Sequence, residues 1–344
     1  MAGGWGGRFM IAGITWAVGA GLMLGLYALP GKYTRGFRFE NTWALLFLLT
    51  MFIVPAIATA ILVKSVAAIF SEVEGWRLSV MIVASFLWGT GVMMWGKAID
   101  HIGMALGFSL FIGTVILVGS LLPFFVDGLP NGLALAAVLI GVFVVLSGVY
   151  WNGMAGIARG QGGEKVARDG IKSVRRGIAI AVTGGLLATG FSLANAVGRP
   201  QIHAASQQFG NPEWVTPLAV MLPIFLSGGV VMTIYFVWQL SHKKAWGSFS
   251  NGHFPRNFLL ILVMAFFHYA ASAAFAYAAY QLGAIGNTVG YAIFNTTSVM
   301  VAVTSGIVTK EWADAPPRAR SYLYRGLACM IFGILIISIG NALA

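Results

Sequence analysis

His268 stands in the run Ala-Phe-Phe-His-Tyr-Ala-Ala, and it is the one ionisable side chain near the middle of any long apolar stretch in this chain. A strongly polar group deep in hydrocarbon is costly, so such a residue points to function by default. Its reference pKa, near about 6.5, would let the imidazole bind and release a proton across the range a cell maintains. The plainer alternative is a neutral histidine that donates one hydrogen bond inside a helix bundle. His268 is the proton-coupling candidate.

Uncharged polar residues form a larger set. Asn195 lies inside one apolar stretch, and Asn295-Thr296-Thr297-Ser298 makes a continuous polar band inside another. Helical spacing puts Tyr291, Asn295 and Ser298 on one face. An asparagine offers two donors and an acceptor, which suits a neutral polyol better than an ion. Trp88, in Phe-Leu-Trp-Gly-Thr-Gly, sits in mid-stretch, whereas Trp5, Trp43, Trp76 and Trp312 lie near ends, as interfacial tryptophans do. The face of Trp88 could stack on the C–H face of a sugar, or pack against lipid or another helix. Trp88, Asn195, Tyr291, Asn295 and Ser298 are the substrate-binding candidates.

The remaining charged residues sit at stretch ends. Lys97, Asp100 and His101 cluster in one place and Lys310-Glu311-Trp312 in another. They could pair as gates, though solvated helix ends with snorkelling lysines explain them as well. Glu40, Glu72 and Glu74 are weaker proton-acceptor candidates. The chain carries no P-loop, no catalytic acid pair and no metal-ligand spacing. Its single cysteine, Cys329, excludes an intrachain disulfide and a cysteine metal site. No enzyme activity, cofactor or metal is implied.

Ten apolar stretches must position these residues: 10–30, 41–63, 78–98, 102–122, 133–152, 177–197, 214–238, 257–280, 286–309 and 322–342. Each approaches the roughly 20 residues that a membrane-crossing helix needs. Hydrophobic residues make up 58% of the 344 and charged residues only 9%, against roughly 25% charged in an ordinary soluble domain. The fold class is therefore an all-α membrane protein with ten transmembrane helices. Residues 10–30 read as the first membrane helix, being too long for a signal peptide and followed by no small-residue cleavage site. The longest intervening segment, 153–176, is polar and glycine-rich and reads as a hinge.

The net charge of +11 reflects topology. With ten crossings, 17 of the 21 Lys and Arg residues fall on one side, leaving Arg8, Lys64, Arg77 and Arg199 on the other. The positive-inside rule places the richer side in the cytoplasm and both termini outside, periplasmic in a bacterium. The basic excess therefore calls for no nucleic-acid partner.

The chain also repeats itself. A shift of 164 residues aligns Ala17-Val18 with Ala181-Val182, Gly21-Leu22 with Gly185-Leu186, and Tyr27 with Phe191. A shift of 183 aligns Gly103, Gly107, Phe111, Thr114 and Val118 with Gly286, Gly290, Phe294, Thr297 and Val301. These pair crossing 1 with 6 and crossing 4 with 9, the order of two five-helix halves: 1–152 and 177–344, joined by the 153–176 cytoplasmic linker. Five is odd, so the second half is inverted, as in secondary transporters with a midplane site. The 45 glycines, roughly 13% against an average of roughly 7%, allow close helix approach. Pro55, Pro217 and Pro223 are expected to kink or break their crossings.

Several of these segments together resemble a known family. Trp-Gly-Thr-Gly (88–91), Gly96, His-Ile-Gly-Met-Ala-Leu-Gly-Phe (101–108) and Gly-Thr-Val-Ile-Leu-Val-Gly (113–119) are similar to crossings 3 and 4 of bacterial L-rhamnose–proton symporters. Arg-Phe-Glu-Asn-Thr-Trp (38–43), Ala-Asn-Ala (194–196) with Pro200, and Gly-Ile-Val-Thr-Lys-Glu-Trp (306–312) extend the likeness over nearly the whole chain. That family is a ten-helix branch of the drug/metabolite transporter superfamily. The resemblance implies proton-coupled import of a six-carbon deoxysugar across the inner membrane, with Trp88, Gly89 and Asn195 matching the family pattern. Crossing 8 departs from it, being alanine-rich where a more aromatic, glutamine-containing helix is expected. A wider pocket or another sugar would follow. The expected partners are thus a neutral sugar, L-rhamnose or a relative, and protons. Rival readings are a metabolite or drug exporter of the same fold, sodium coupling through the 295–298 band, and a sensory or scaffolding subunit without transport.

Overall fold

The computed structural model describes residues 3–122, 124–129, 131–160, 163–283, 286–310 and 312–342, with the side chains of 3–9, 100, 103–105, 126–127, 163–173 and 341–342 left aside. Glu311 and the Asp100 side chain, both expected near gates, lie outside the described residues. The described chain is helical throughout, with no strand. We label α1 Gly3–Leu26, α2 Phe39–Leu62, α3 Gly75–Leu121, α4 Gly132–Ala158, α5 Gly163–Ala188, α6 Gly190–Gln208, α7 Thr216–His242, α8 Phe254–Gln281, α9 Gly286–Val308 and α10 Pro317–Ala342. Among the described residues nine segments are long and apolar enough to cross a bilayer, and a tenth apolar helix, Leu106–Leu121, is shorter.

These segments depart most from the ten expected stretches at α3. Helix α3 runs unbroken for 47 residues, which if straight would extend about 70 Å, more than twice the roughly 30 Å hydrocarbon core. It is not straight. The Trp95 ring lies 5.8 Å from both Phe108 and Phe111, whereas residues 95 and 111 of a straight helix would be about 24 Å apart. A Cβ at Gly107 would sit 3.4 Å from the Ile99 amide nitrogen. The chain therefore doubles back between Ile99 and Leu106, and the expected crossings 3 and 4 form two packed arms of one helical hairpin.

The expected polar hinge at 153–176 is instead mostly helix. Helix α4 continues to Ala158 and α5 begins at Gly163, with Gly160 turning the chain at φ +90°. Pro217 is a second correction. It occupies the first turn of α7, where a missing N–H costs no hydrogen bond, so it starts the helix and does not break it. Pro55 behaves as expected. Having no N–H for the Met51 carbonyl, it follows a π turn at Leu49–Ile53. Trp43, expected in an interfacial belt, packs inward on Tyr27 and Phe47, centroids 6.2 and 5.8 Å away.

Glycine governs how the helices meet. Between apolar helices in lipid there is little hydrophobic drive, so close approach at small residues supplies the contact. A Cβ at Gly21 of α1 would lie 2.8 Å from the Phe294 carbonyl oxygen and 2.5 Å from Thr297 Cβ on α9. A Cβ at Gly185 of α5 would lie 2.7 Å from the Phe111 carbonyl oxygen and 2.7 Å from Thr114 Cβ in the second arm of α3. Helices α4 and α10 pair Gly141 with Gly333 and Gly148 with Gly326, backbone against backbone. The first index rises as the second falls, so those two helices run antiparallel. Gly21→Ala and Gly185→Ala should each destabilise the protein by about 1–3 kcal/mol through overpacking. Gly19→Ala, whose Cβ would meet nothing within 4 Å, should leave stability unchanged or slightly raised. Thermal unfolding followed by intrinsic fluorescence in detergent checks all three.

Candidate functional site

Phe225 of α7 links two of the expected residues. Its ring lies 5.6 Å from Trp88 and 5.8 Å from His268. Trp88 also meets Phe191 of α6 at 5.1 Å, and Phe191 faces Phe275 at 5.8 Å and Tyr291 at 6.4 Å. The middle of the bundle is thus filled by aromatic rings drawn from α3, α6, α7, α8 and α9. Two glycines permit it. A Cβ at Gly228 would lie 2.6 Å from the Trp88 ring, and a side chain at Gly119 would strike Tyr291.

One end of this aromatic cluster is closed by an amide pair. Asn195 donates through Nδ2 to Asn287 Oδ1 at 2.7 Å, and both residues are completely buried. The Asn195 Oδ1 atom has no partner among the described residues. An unpartnered buried acceptor costs free energy unless something supplies a donor, and a sugar hydroxyl could do so. Nearby, Ser192 Oγ donates to the Gly119 carbonyl at 2.9 Å, tying α6 to the second arm of α3.

The other end carries the histidine. Thr50, in the π turn of α2, donates its hydroxyl to the Ala265 carbonyl at 3.2 Å and lies 3.2 Å from His268 Nδ1. The hydroxyl has one hydrogen, so the Nδ1 bond requires His268 to donate there, which leaves Nε2 as the acceptor nitrogen of the neutral ring. Tyr27 of α1 packs on His268 with centroids 4.9 Å apart. The π turn has a clear consequence here: it shifts the side-chain register of α2 and turns Thr50 onto the imidazole.

Two of the five expected binding residues, Trp88 and Tyr291, therefore flank the Phe191 ring, with Asn195 one turn along α6 from it and His268 linked to Trp88 through Phe225. Asn295 and Ser298 do not join them in the same manner. Asn295 Nδ2 donates to the Tyr291 carbonyl at 2.9 Å and Ser298 Oγ to the Asn295 carbonyl at 2.7 Å, both within α9. Thr297, from the same band, faces Gly21. Two open cavities lie elsewhere. One of about 610 Å³ is an apolar groove between α1, α9 and α10, and one of about 660 Å³ lies beside Arg320 and Arg325.

Sequence reasoning missed Asn287, Asn41 and Asn211, and it read Glu40 and Glu74 only as weak proton acceptors. Asn287 was a lone amide at a stretch end. Glu40 is buried and pairs with Lys243, while Asn41 Nδ2 donates to the Ala245 carbonyl at 2.9 Å, so the start of α2 is clamped to the end of α7. At the opposite end of those helices Asn211 holds Lys64 by both backbone groups, accepting from its N–H at 2.7 Å and donating to its carbonyl at 3.1 Å. Glu74 is engaged at the rim: Arg77 at 2.9 Å and Trp76 Nε1 at 2.8 Å hold its carboxyl below the usual carboxylate range. Lys97 is exposed.

Replacing Asn287 by Leu should strand the Asn195 amide and cost about 1–3 kcal/mol. The double variant Asn195→Leu/Asn287→Leu should recover much of that loss. A double variant as unstable as the sum of the singles in thermal unfolding would show that the two amides act independently.

Comparison with known proteins adds identity to this geometry. Residues 7–343 match the family described as L-rhamnose-proton symport protein. The chain is 27% identical to the L-rhamnose-proton symporter of Escherichia coli (strain 55989 / EAEC), covering 96% of this chain and 98% of that one. It is equally similar, over the same shares, to the L-rhamnose-proton symporter of Shigella boydii serotype 18 (strain CDC 3083-94 / BS512). A crystal structure at 14% identity aligns over 97% of this chain and 98% of its own with a TM-score of 0.50, a likeness of fold.

Proposed function

Because the chain belongs to the L-rhamnose-proton symport protein family, we propose that it imports L-rhamnose or a closely related neutral deoxysugar together with protons, by alternating access. The observation that carries this reading is the match across residues 7–343, which spans nearly the whole chain. A symporter makes and breaks no covalent bond in its cargo, so no catalytic residue is assigned. The protein resides in a bacterial inner membrane with both termini periplasmic, a topology supported by the 17-to-4 division of basic residues.

The architecture we propose is ten crossings in two inverted halves, 1–152 and 177–344, joined by 153–176. Repeated contacts support it. Gly21 meets Phe294 and Thr297, while Gly185 meets Phe111 and Thr114. Those are the residues that the two sequence shifts pair with one another. Likewise a Cβ at Gly107 would lie 3.4 Å from Ile99 Cγ1, and one at Gly290 would lie 3.3 Å from Leu282 Cδ1, again offset by 183. The antiparallel pairing of α4 with α10 fits inverted halves, since crossing n and crossing n+5 must then run in opposite directions.

Within that frame Trp88 stacks on the sugar ring and the Asn195 Oδ1 accepts from a hydroxyl. Tyr291, Asn295 and Ser298 line the same route on α9, and His268 exchanges the coupled proton. The rings around Trp88 must part to admit a sugar, and the clamps at Asn41–Ala245 and Asn211–Lys64 are the contacts that would release in turn. One charge moving down 100 mV yields about 2.3 kcal/mol, enough for a roughly 50-fold gradient.

Proteoliposomes holding the purified protein should accumulate labelled L-rhamnose under an inward proton gradient and lose that accumulation on addition of a protonophore. Trp88→Ala should reduce uptake at least tenfold without changing the fold. No uptake in sealed, correctly oriented vesicles would remove rhamnose as the substrate. Uptake indifferent to the protonophore would remove proton coupling.

A further inference from the structure

A buried histidine, His203, lies two turns beyond Asn195 on α6, about 12 Å along the helix axis. It is only 8% exposed. Its Nδ1 lies 2.6 Å from the Thr216 hydroxyl, and that hydroxyl donates to the Glu213 carbonyl at 2.9 Å. A hydroxyl has one hydrogen, so the imidazole must be the donor at Nδ1. The neutral ring therefore presents a bare lone pair at Nε2, and that atom is buried with no hydrogen-bond partner among the described residues. A buried polar atom left in this state needs a reason.

The surroundings supply one. The Tyr280 ring of α8 packs on the imidazole at a tilt, centroids 3.8 Å apart and planes 31° apart. The Tyr280 hydroxyl donates to Glu213 Oε1 at 3.2 Å. An aromatic face and a carboxylate both favour an imidazolium over a neutral ring. The other charged and titratable groups on the elements around it are Arg199 on the same helix, Tyr277 against Tyr280, and Lys64, Glu72, Glu74 and Arg77 on the 62–78 segment. Arg77 donates to the Val197 carbonyl at 3.2 Å and the Glu74 N–H to Gln201 Oε1 at 3.0 Å, so this rim packs directly on α6. Burial of the ring and the charge of Arg199 oppose protonation, while Glu213 and the Tyr280 face favour it.

We infer that His203 is a second proton-binding residue, taking a proton at Nε2 from the side on which Arg199 and Glu213 lie. In the proposed topology that side is periplasmic, where the driving proton enters. The protonated ring draws the carboxylate of Glu213, just before α7, and the ring of Tyr280, on α8, towards α6. Protonation thus tightens the junction of α6, α7 and α8 at that end and favours closure behind a loaded substrate. Deprotonation loosens the same junction. The inference rests on the proposed proton coupling, and the site is distinct from His268, which sits on α8 beside Thr50.

The test is nitrogen-15 histidine NMR of the intact protein in lipid nanodiscs between pH 5 and 9. Signals of the five histidines are assigned with His203→Asn and His268→Asn; in the first of these the introduced amide keeps a donor for Thr216. His203 should titrate at Nε2, and Glu213→Gln should lower its midpoint by about one pH unit or more, as loss of a nearby opposite charge does. His203→Asn should also flatten the pH dependence of sugar uptake. A His203 signal that does not move over that range, or a midpoint unchanged by Glu213→Gln, overturns the inference. Glu213→Gln is read in a protein that retains His203, so the titration decides the matter even if His203→Asn misfolds. Failure of the unsubstituted protein to take up L-rhamnose counts against the proposed sugar alone, because the titration is read without transport.

Discussion

Close backbone contact at glycine is the constraint on which this structure depends. Lipid tails are as apolar as the helices they surround, so helices gain little by leaving them except through intimate packing. At Gly21 and Gly185 the absence of a Cβ brings carbonyl oxygens and threonine side chains of the neighbouring helix to within 3 Å of where that atom would be. Gly141, Gly148, Gly326 and Gly333 do the same between α4 and α10. Bulky side chains are thereby displaced from the helix seams to the centre, where Trp88, Phe191, Phe225, Phe275 and Tyr291 assemble.

That centre has a consistent polar design. Two polar groups buried in the bundle, Asn195 and His203, are held by another helix at one atom and left without a partner among the described residues at another. Asn195 gives Nδ2 to Asn287 and keeps Oδ1 unpartnered. His268 contacts Thr50 at Nδ1, and His203 contacts Thr216 at Nδ1. In both histidines a threonine hydroxyl already committed to a carbonyl dictates the tautomer. This arrangement orients the ring through one nitrogen, and in His203 the second nitrogen has no partner among the described residues.

The helix ends are held differently from the middle. Backbone groups left over at the end of α2 and the end of α7 are met by asparagine side chains, Asn211 on one side and Asn41 on the other. Amide-to-backbone bonds at a water-facing end are individually modest, on the order of 1 kcal/mol. The central rings, by contrast, are fixed by packing from five helices. Contacts of the first kind can exchange with water, while the glycine seams are held by close backbone packing. That division of strength is what the proposed alternating access requires.

The sequence alone determined the class, the span of most crossings and the family, because hydrocarbon imposes a length and composition that any spanning helix must show. It also singled out Trp88, Asn195, Tyr291 and His268, since a large or polar side chain in mid-span is rare enough to stand out. Only the tertiary structure decided which of these meet. Asn295 and Ser298 share a face with Tyr291 yet bond their own helix, a choice of rotamer that spacing does not encode. Asn287, Glu213 and His203 carry no distinguishing pattern in the sequence, and gained their partners only when another segment arrived beside them. Pro217 read as a break and proved a start, because its effect depends on where the first helical turn falls. Periodicity reports what each helix must face, lipid or protein. Which atom completes a buried hydrogen bond is fixed by contacts between residues as far apart as Thr50 and His268, and those are set by packing the whole bundle.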